Sequence, residues 1–246
     1  LIIIWQQDHH CDCKFSDLFI YKDLVIEEGG LSIANSDSVD FYNYMDIEEG
    51  AIKDQQIKVA DNDLYVRSAY VLNHPNSSRE KENSFLQALA LSPKVKGLLD
   101  GMQADIKNCQ FSVHVRMQGQ QSYEQHYNWS EEGAQELNYW REKSHYRHFL
   151  KRIDAELNQI PDAKFFLATD SQENYDVIIE HYGDKVVYLE RNVFDRSVEQ
   201  MQYALADVIL LGDCSLLFGS TWSSFTELAQ RLSKKPIKIE MSGVDF

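Results

Sequence analysis

The sequence predicts an α/β fold built on a parallel sheet, and three observations carry that prediction. From Phe111 onward, short apolar runs alternate with helical stretches, the pattern of strands joined by helical crossovers. Polar residues stand where several of those runs stop, which is where a parallel sheet gathers its ligand-binding loops. Hydrophobic residues make up 43% of the 246 positions and charged residues 26%, the balance of a globular chain and not of a disordered one.

Along the first 105 residues the pattern is irregular. Leu1–Trp5 reads as a buried strand, Phe15–Phe19 as a short helical or turn segment, and Leu24–Glu27 and Leu64–Leu72 as short β-like runs. Pro75–Asn83 is polar and rich in Ser and Asn, so it reads as a loop or linker. Ser84–Leu91 is a helix candidate, and Ser92-Pro93 marks a further helix start, because proline suits the first turn.

The regular part follows. Phe111–Met117 is a strand, and Trp140–Ile160 a long amphipathic helix with Tyr146, Phe149, Leu150, Ile153 and Leu157 at helical spacing. Lys164–Thr169 is a strand ending at Asp170, Glu173–Tyr182 a helix, Lys185–Glu190 a strand and Ser197–Leu211 an apolar helix. Ser215–Gly219 is a short strand, Ser223–Leu232 a helix and Pro236–Glu240 a last strand. Right-handed crossovers place all the strand C-termini along one edge.

That edge holds the candidate site. His114 and Arg116 are two apart, so they lie on one face of their strand. Asp170 follows the second strand. The run Gly219-Ser220-Thr221-Trp222-Ser223-Ser224 feeds a helix, whose N-terminal N–H groups and dipole favour an anion. Arg116 adds a two-pronged grip for phosphate. Blander roles compete: a structural ion pair for Arg116, a helix cap for Ser223-Ser224, and a capping box for Asp170-Ser171-Gln172-Glu173.

The segments His114-Val115-Arg116, Phe166–Asp170, Asp207–Leu211 and Leu217–Phe225 resemble, in order and spacing, those of the superfamily of nodulation α-1,6-fucosyltransferases and protein O-fucosyltransferases. The resemblance implies two Rossmann-like halves of the GT-B type, here residues 1–105 on the acceptor side and 106–246 on the nucleotide-sugar side. It further implies that the first half lacks its opening strand and loop in this chain.

The implied activity is inverting transfer of fucose from GDP-fucose to a glycan or protein hydroxyl, without a metal or other cofactor. Arg116 matches the arginine that grips the β-phosphate and stabilises the departing GDP. His114 matches a residue near the nucleoside, Asp207 an acidic residue that reads guanine N–H groups, and Asp170 a carboxylate of the cleft. Ser223, Ser224 and the Phe225 backbone match the diphosphate turn. Inverting transfer needs a base on the acceptor hydroxyl, for which Glu124 is the candidate and His126 the runner-up.

Met117-Gln118-Gly119-Gln120 follows Arg116, where many members carry a second Arg or His and an Asp. This departure motivates a second reading, a catalytically silent relative that binds a nucleotide or glycan. A third is a Rossmann-like protein with another ligand.

The net charge of −15 argues against a nucleic-acid partner. No apolar run is long enough to span a bilayer. Cys11, Cys13, Cys109 and Cys214 form no spaced disulfide framework, so reduced thiols and a cytoplasmic location are expected; the alternative is the catalytic part of a secretory-pathway enzyme. Asp8-His9-His10-Cys11-Asp12-Cys13 carries zinc-type ligands but has no distant second pair, so no metal site is assigned. Tyr123, Tyr127, Trp129, Tyr139 and Trp140 cluster after the first strand, as a sugar-stacking surface or as packing.

Overall fold

The computed structural model describes residues 1–8, 11–27, 39–45, 50–59, 61–68, 70–117 and 131–246. In the first part the elements are small. They are β1 (Ile3–Ile4), α1 (Phe15–Leu18), β2 (Phe19–Ile20), β3 (Val25–Ile26), β4 (Val39–Asn43) and β5 (Asp63–Arg67). Then come α2 (Arg79–Ala88), β6 (Ala90–Leu91), α3 (Pro93–Ile106) and the first long strand, β7 (Cys109–Val115). The rest of the chain supplies α4 (Glu131–Lys143), α5 (Tyr146–Leu157), β8 (Lys164–Thr169), α6 (Gln172–Tyr182), β9 (Val186–Val187), α7 (Val198–Leu211), β10 (Leu216–Gly219), α8 (Ser224–Leu232) and β11 (Lys238–Met241).

Five strands form one parallel sheet in the order β11-β10-β7-β8-β9. Period-two alternation divides its core into two layers. Phe165, Leu167 and Phe218 pack with Phe149, Ile153, Tyr175 and Ile178 of α5 and α6. Phe166, Ala168 and Leu217 face the other way, onto Leu205, Ala206, Val208 and Leu211 of α7 and Val95 and Ile106 of α3. In β7, Phe111, Val113 and Val115 join the α5–α6 layer. The intervening Ser112 and His114 are buried and polar: the Ser112 hydroxyl donates to Leu211 O at 2.8 Å, and His114 Nδ1 lies 2.9 Å from Thr226 Oγ1. The chain runs outward from β7 through β8 to β9, then returns to β10 on the opposite side of β7. The strand order therefore reverses between β7 and β10, which opens a crevice between the loops that follow them.

Several expectations change. Leu1–Trp5 is not a buried strand: only Ile3–Ile4 pairs, with β3, and Leu1 stands 81% exposed beyond that two-residue ladder. Pro75–Asn83 is not all loop. Ser78 Oγ accepts from Lys81 N, and Glu80 and Glu82 sit in the first turn, so α2 begins five residues before the expected Ser84. The helix expected over Trp140–Ile160 is two helices. The chain breaks at Ser144, whose buried hydroxyl bonds Ser242 Oγ at 2.8 Å, and restarts with the His145 ring capping Arg147 N. The expected strand Lys185–Glu190 pairs only through Val186–Val187.

The β10–α8 turn requires its glycine. A Cβ at Gly219 would stand 2.3 Å from Thr226 Cγ2 and 3.2 Å from Met241 Sδ. Gly219→Ala is therefore expected to cost about 1–3 kcal/mol through overpacking, read as a lowered urea midpoint at unchanged slope.

Candidate functional site

The crevice between the β7 and β10 loops is a cleft of about 320 Å³. His114, Arg116, Asp170, Asp207, Ser223, Ser224 and Phe225 all line it, so the structure gathers seven of the eight residues singled out in the sequence. The eighth, Glu124, lies outside the described residues, as do His126, Tyr123, Tyr127 and Trp129.

Arg116 leaves the end of β7 with its amide donating to Ser220 Oγ at 2.8 Å, and Ser220 Oγ donates to His114 O at 2.9 Å. Its guanidinium meets Asp170 Oδ2 at 3.1 Å, while Asp170 Oδ1 accepts from Met117 N and Asn174 Nδ2, each at 3.3 Å. Asp170 is thus no helix cap. Ser171 caps α6, its hydroxyl accepting from Asn174 N, and leaves the carboxylate to orient the arginine. The imidazole of His114 stacks on Phe225 with ring centroids 4.9 Å apart. Burial, reinforced by the charges of Arg116 and Arg141, holds it down to about 3, so at neutral pH it is an uncharged ring.

The turn after β10 carries Trp222 at φ 59°, a left-handed conformation unusual for so bulky a residue. Ser223 takes the N-cap position of α8, yet its hydroxyl makes no cap hydrogen bond. The first-turn amides of α8 have no intrahelical partner, and Ser223, Ser224 and Phe225 border the cleft, which makes this end an anion cradle.

Sequence reasoning missed Arg141, Arg191, Arg196 and Gln200. Arg141 and Arg196 line the same cleft as Arg116. Arg191 lies just past the stretch read as the third strand, so the strand-end rule applied there would have found it. Arg141 sits on a helix, where no such rule reaches.

Arg191 Nη2 bonds Asp207 Oδ2 at 2.5 Å and Tyr175 OH at 3.0 Å, in a pair whose side chains are 1% and 4% exposed. Its guanidinium also lies over the Tyr203 ring, 4.9 Å from the centroid. Burial pushes Asp207 up to about 6 against the pull of Arg191. Among the described residues, Asp207 Oδ1 and Gln200 Oε1 are buried without a hydrogen-bond partner, and both residues line the cleft. The cleft thus has arginines and helix amides for an anion, and two buried acceptors for N–H donors.

No group of three metal-ligating side chains occurs among the described residues. No helix among them is long and apolar enough to cross a membrane.

No protein-family model matches this chain, and no curated protein does. Similar solved structures include a NodZ α-1,6-fucosyltransferase soaked with GDP-fucose, 19% identical with a TM-score of 0.48, over 74% of this chain and 56% of that one. A fucosyltransferase NodZ from Bradyrhizobium is 19% identical with a TM-score of 0.49, over 76% of this chain and 57% of that one. POFUT1 in complex with GDP is 16% identical with a TM-score of 0.45, over 74% of this chain and 56% of that one. The chain spans little more than half the length of these structures.

Asp207→Ala removes the partner of a buried guanidinium. It is expected to lower unfolding free energy by about 3–5 kcal/mol in a urea titration, the cost of an uncompensated buried charge. A cost near zero would show that Arg191 is solvated or paired elsewhere.

Proposed function

We propose that the cleft binds a GDP-sugar, GDP-fucose being the leading donor, and that the chain is the nucleotide-sugar-binding part of an inverting glycosyltransferase. The observation that carries this reading is the cleft's division into two chemistries. Arg116, Arg141, Arg196 and the N-terminus of α8 border it as an anion site, and Asp207 and Gln200, each with one buried oxygen that has no partner, border it as the source of acceptors. A guanine ring offers N–H donors on its Watson–Crick edge, and a diphosphate offers the matching negative charge. The volume of about 320 Å³ falls at the lower end of small-ligand sites.

In this reading Arg116, held by Asp170, grips the β-phosphate and stabilises the charge that builds on GDP as the glycosidic bond to it breaks. Arg141 and Arg196 add positive charge to the same leaving group, supplying what a divalent cation would in a metal-assisted enzyme. Transfer is then metal-independent and uses no cofactor. His114, uncharged and stacked on Phe225, forms an apolar wall beside the nucleoside. The acceptor is a glycan or protein hydroxyl whose proton goes to Glu124. Arg191 bonds Asp207 through Oδ2 and balances its charge, which leaves Oδ1 for the base.

Calorimetric titration tests the reading. GDP is expected to bind with preference over UDP and ADP, and Arg116→Ala to weaken it by about 1.5–3 kcal/mol, the worth of a hydrogen bond to a charged group. Binding without a guanine preference would overturn the donor assignment.

The pH dependence has a defined sign. Asp207 is raised to about 6, so it is an ionised acceptor above that pH and protonated below it. Guanosine, which has no phosphate to titrate, is expected to hold its affinity above about pH 6 and lose it below. A flat profile across that range would remove Asp207 from base recognition.

A further inference from the structure

The segment Cys11–Cys13 lies beside the cleft, and the proposed transfer makes no use of it. Cys11 Sγ and Cys13 Sγ are 3.4 Å apart, and both are thiols. Their environments differ: Cys11 is half-buried and reachable from solvent, while Cys13 is fully buried. Backbone bonds hold the segment in place. Asp8 N donates to Cys11 O at 3.3 Å, Cys11 N to Asp8 O at 3.1 Å, and the Trp5 indole N–H to Cys13 O at 2.8 Å.

The residue between the two cysteines is bonded to a residue that lines the cleft. Asp12 N donates to Arg196 O at 3.1 Å, and Asp12 forms a parallel bridge with Ser197. Arg196 lines the cleft, and Ser197 caps α7, the helix that carries Gln200 and Asp207. A change in the Cys11–Cys13 backbone therefore acts directly on the residues that start α7.

We propose that Cys11 and Cys13 are a reversible dithiol–disulfide pair whose oxidation weakens anion binding in the cleft by displacing Arg196. The oxidant is a low-molecular-weight disulfide of the glutathione type. Cys11, the thiol that solvent reaches, gives its proton to water and attacks one sulfur of that disulfide as the thiolate. The disulfide bond breaks, Cys11 is left as a mixed disulfide, and the first small thiolate departs and takes a proton from water. Cys13 then attacks Cys11 Sγ, its proton passing to the second departing thiol. Two protein thiols are oxidised, and one small disulfide is reduced to two thiols.

Cys11 suits the attacking role. The Cys13 S–H bond lowers its thiol, as do the Cys13 backbone and the Arg196 charge, while burial and Asp8 oppose them. Ring closure shortens the sulfur separation from 3.4 Å to about 2.05 Å, and the ring it closes contains the backbone of Asp12, whose N–H bonds Arg196 O. The link to the cleft rests on the nucleotide reading above; the disulfide itself does not.

The test equilibrates the full chain with oxidised glutathione or with dithiothreitol, then measures intact mass, alkylation by peptide, and GDP affinity by calorimetry. The oxidised chain is expected to be lighter by two hydrogens, with Cys11 and Cys13 both protected within one peptide and Cys109 and Cys214 still alkylated after denaturation. GDP affinity is expected to fall about tenfold on oxidation, the loss of one hydrogen bond to a charged group, and to be insensitive to redox state in Cys11→Ser. Persistent alkylation of Cys11 and Cys13, or a glutathione adduct that stays on Cys11, overturns the pair. A disulfide with unchanged GDP affinity overturns the coupling. Failure of GDP to bind either form overturns the coupling together with the nucleotide reading, while the mass still decides the disulfide.

Discussion

One hydroxyl joins the two strands that part at the cleft. Ser220 Oγ, fully buried, accepts from the Arg116 amide at 2.8 Å and donates to His114 O at 2.9 Å. It ties the residue after β10 to the end of β7 at the point where the strand order reverses. Beyond that point the chains diverge, Arg116 to one side and the Trp222–Ser224 turn to the other. The opening between them is fixed by this bond and by Gly219, whose missing Cβ lets Thr226 close on the strand. Thr226 in turn holds the imidazole of His114. Removing the serine hydroxyl would take a partner from the buried His114 carbonyl and from the part-buried Arg116 amide, a loss of about 0.5–1.5 kcal/mol each.

The electrostatics follow from the same geometry. The chain carries −15 overall, so its anion site depends on local placement and not on a general field. Each of two arginines is held by an aspartate, Arg116 by Asp170 at 3.1 Å and Arg191 by Asp207 at 2.5 Å. The first pair keeps 20% of its arginine side chain exposed and faces the anion site. The second is almost wholly buried and works as a fixed mount for one carboxylate. Such burial is expensive for both ions and is sustained by Tyr175 and Tyr203 around the guanidinium. What it leaves is Asp207 Oδ1 without a partner, a feature that neither packing nor stability accounts for.

Much of this arrangement was legible before the fold was known. The strand 164–169 announces itself by four consecutive apolar residues and a carboxylate at its end, and its alternation assigns Phe165 and Leu167 to one layer and Phe166 and Ala168 to the other. His114 and Arg116 follow from strand periodicity, and Ser223-Ser224 from the signature of a helix start. The failures are equally physical. The break at Ser144 comes from a tertiary bond to Ser242, 98 residues away, which no helical periodicity reveals. Arg141 and Arg196 reach the cleft from a helix and from the residue before a helix cap, positions that strand-end logic does not inspect. The early start of α2 at Arg79 was hidden because Ser78 and Asn76 are turn residues and cap residues alike.

The two halves of the cleft impose different demands, and the fold meets them with different elements. An anion needs positive charge and amides that do not rearrange when charge develops, and these come from strand ends and a helix N-terminus, parts anchored in the sheet. Under the nucleotide reading, the acceptors for a base come from one face of one helix, α7, where Gln200 and Asp207 lie two turns apart and border the cleft together. The start of that helix is also where Arg196 sits and where Asp12 is bonded. A shift of the first turn of α7 would therefore move an arginine of the anion site and an acceptor of the base site in one motion. The sheet-borne groups, Arg116 and the α8 turn, would stay where Ser220 holds them. Arg196 and Gln200 are thus linked through the start of α7, while Arg116 and the α8 turn are linked through Ser220.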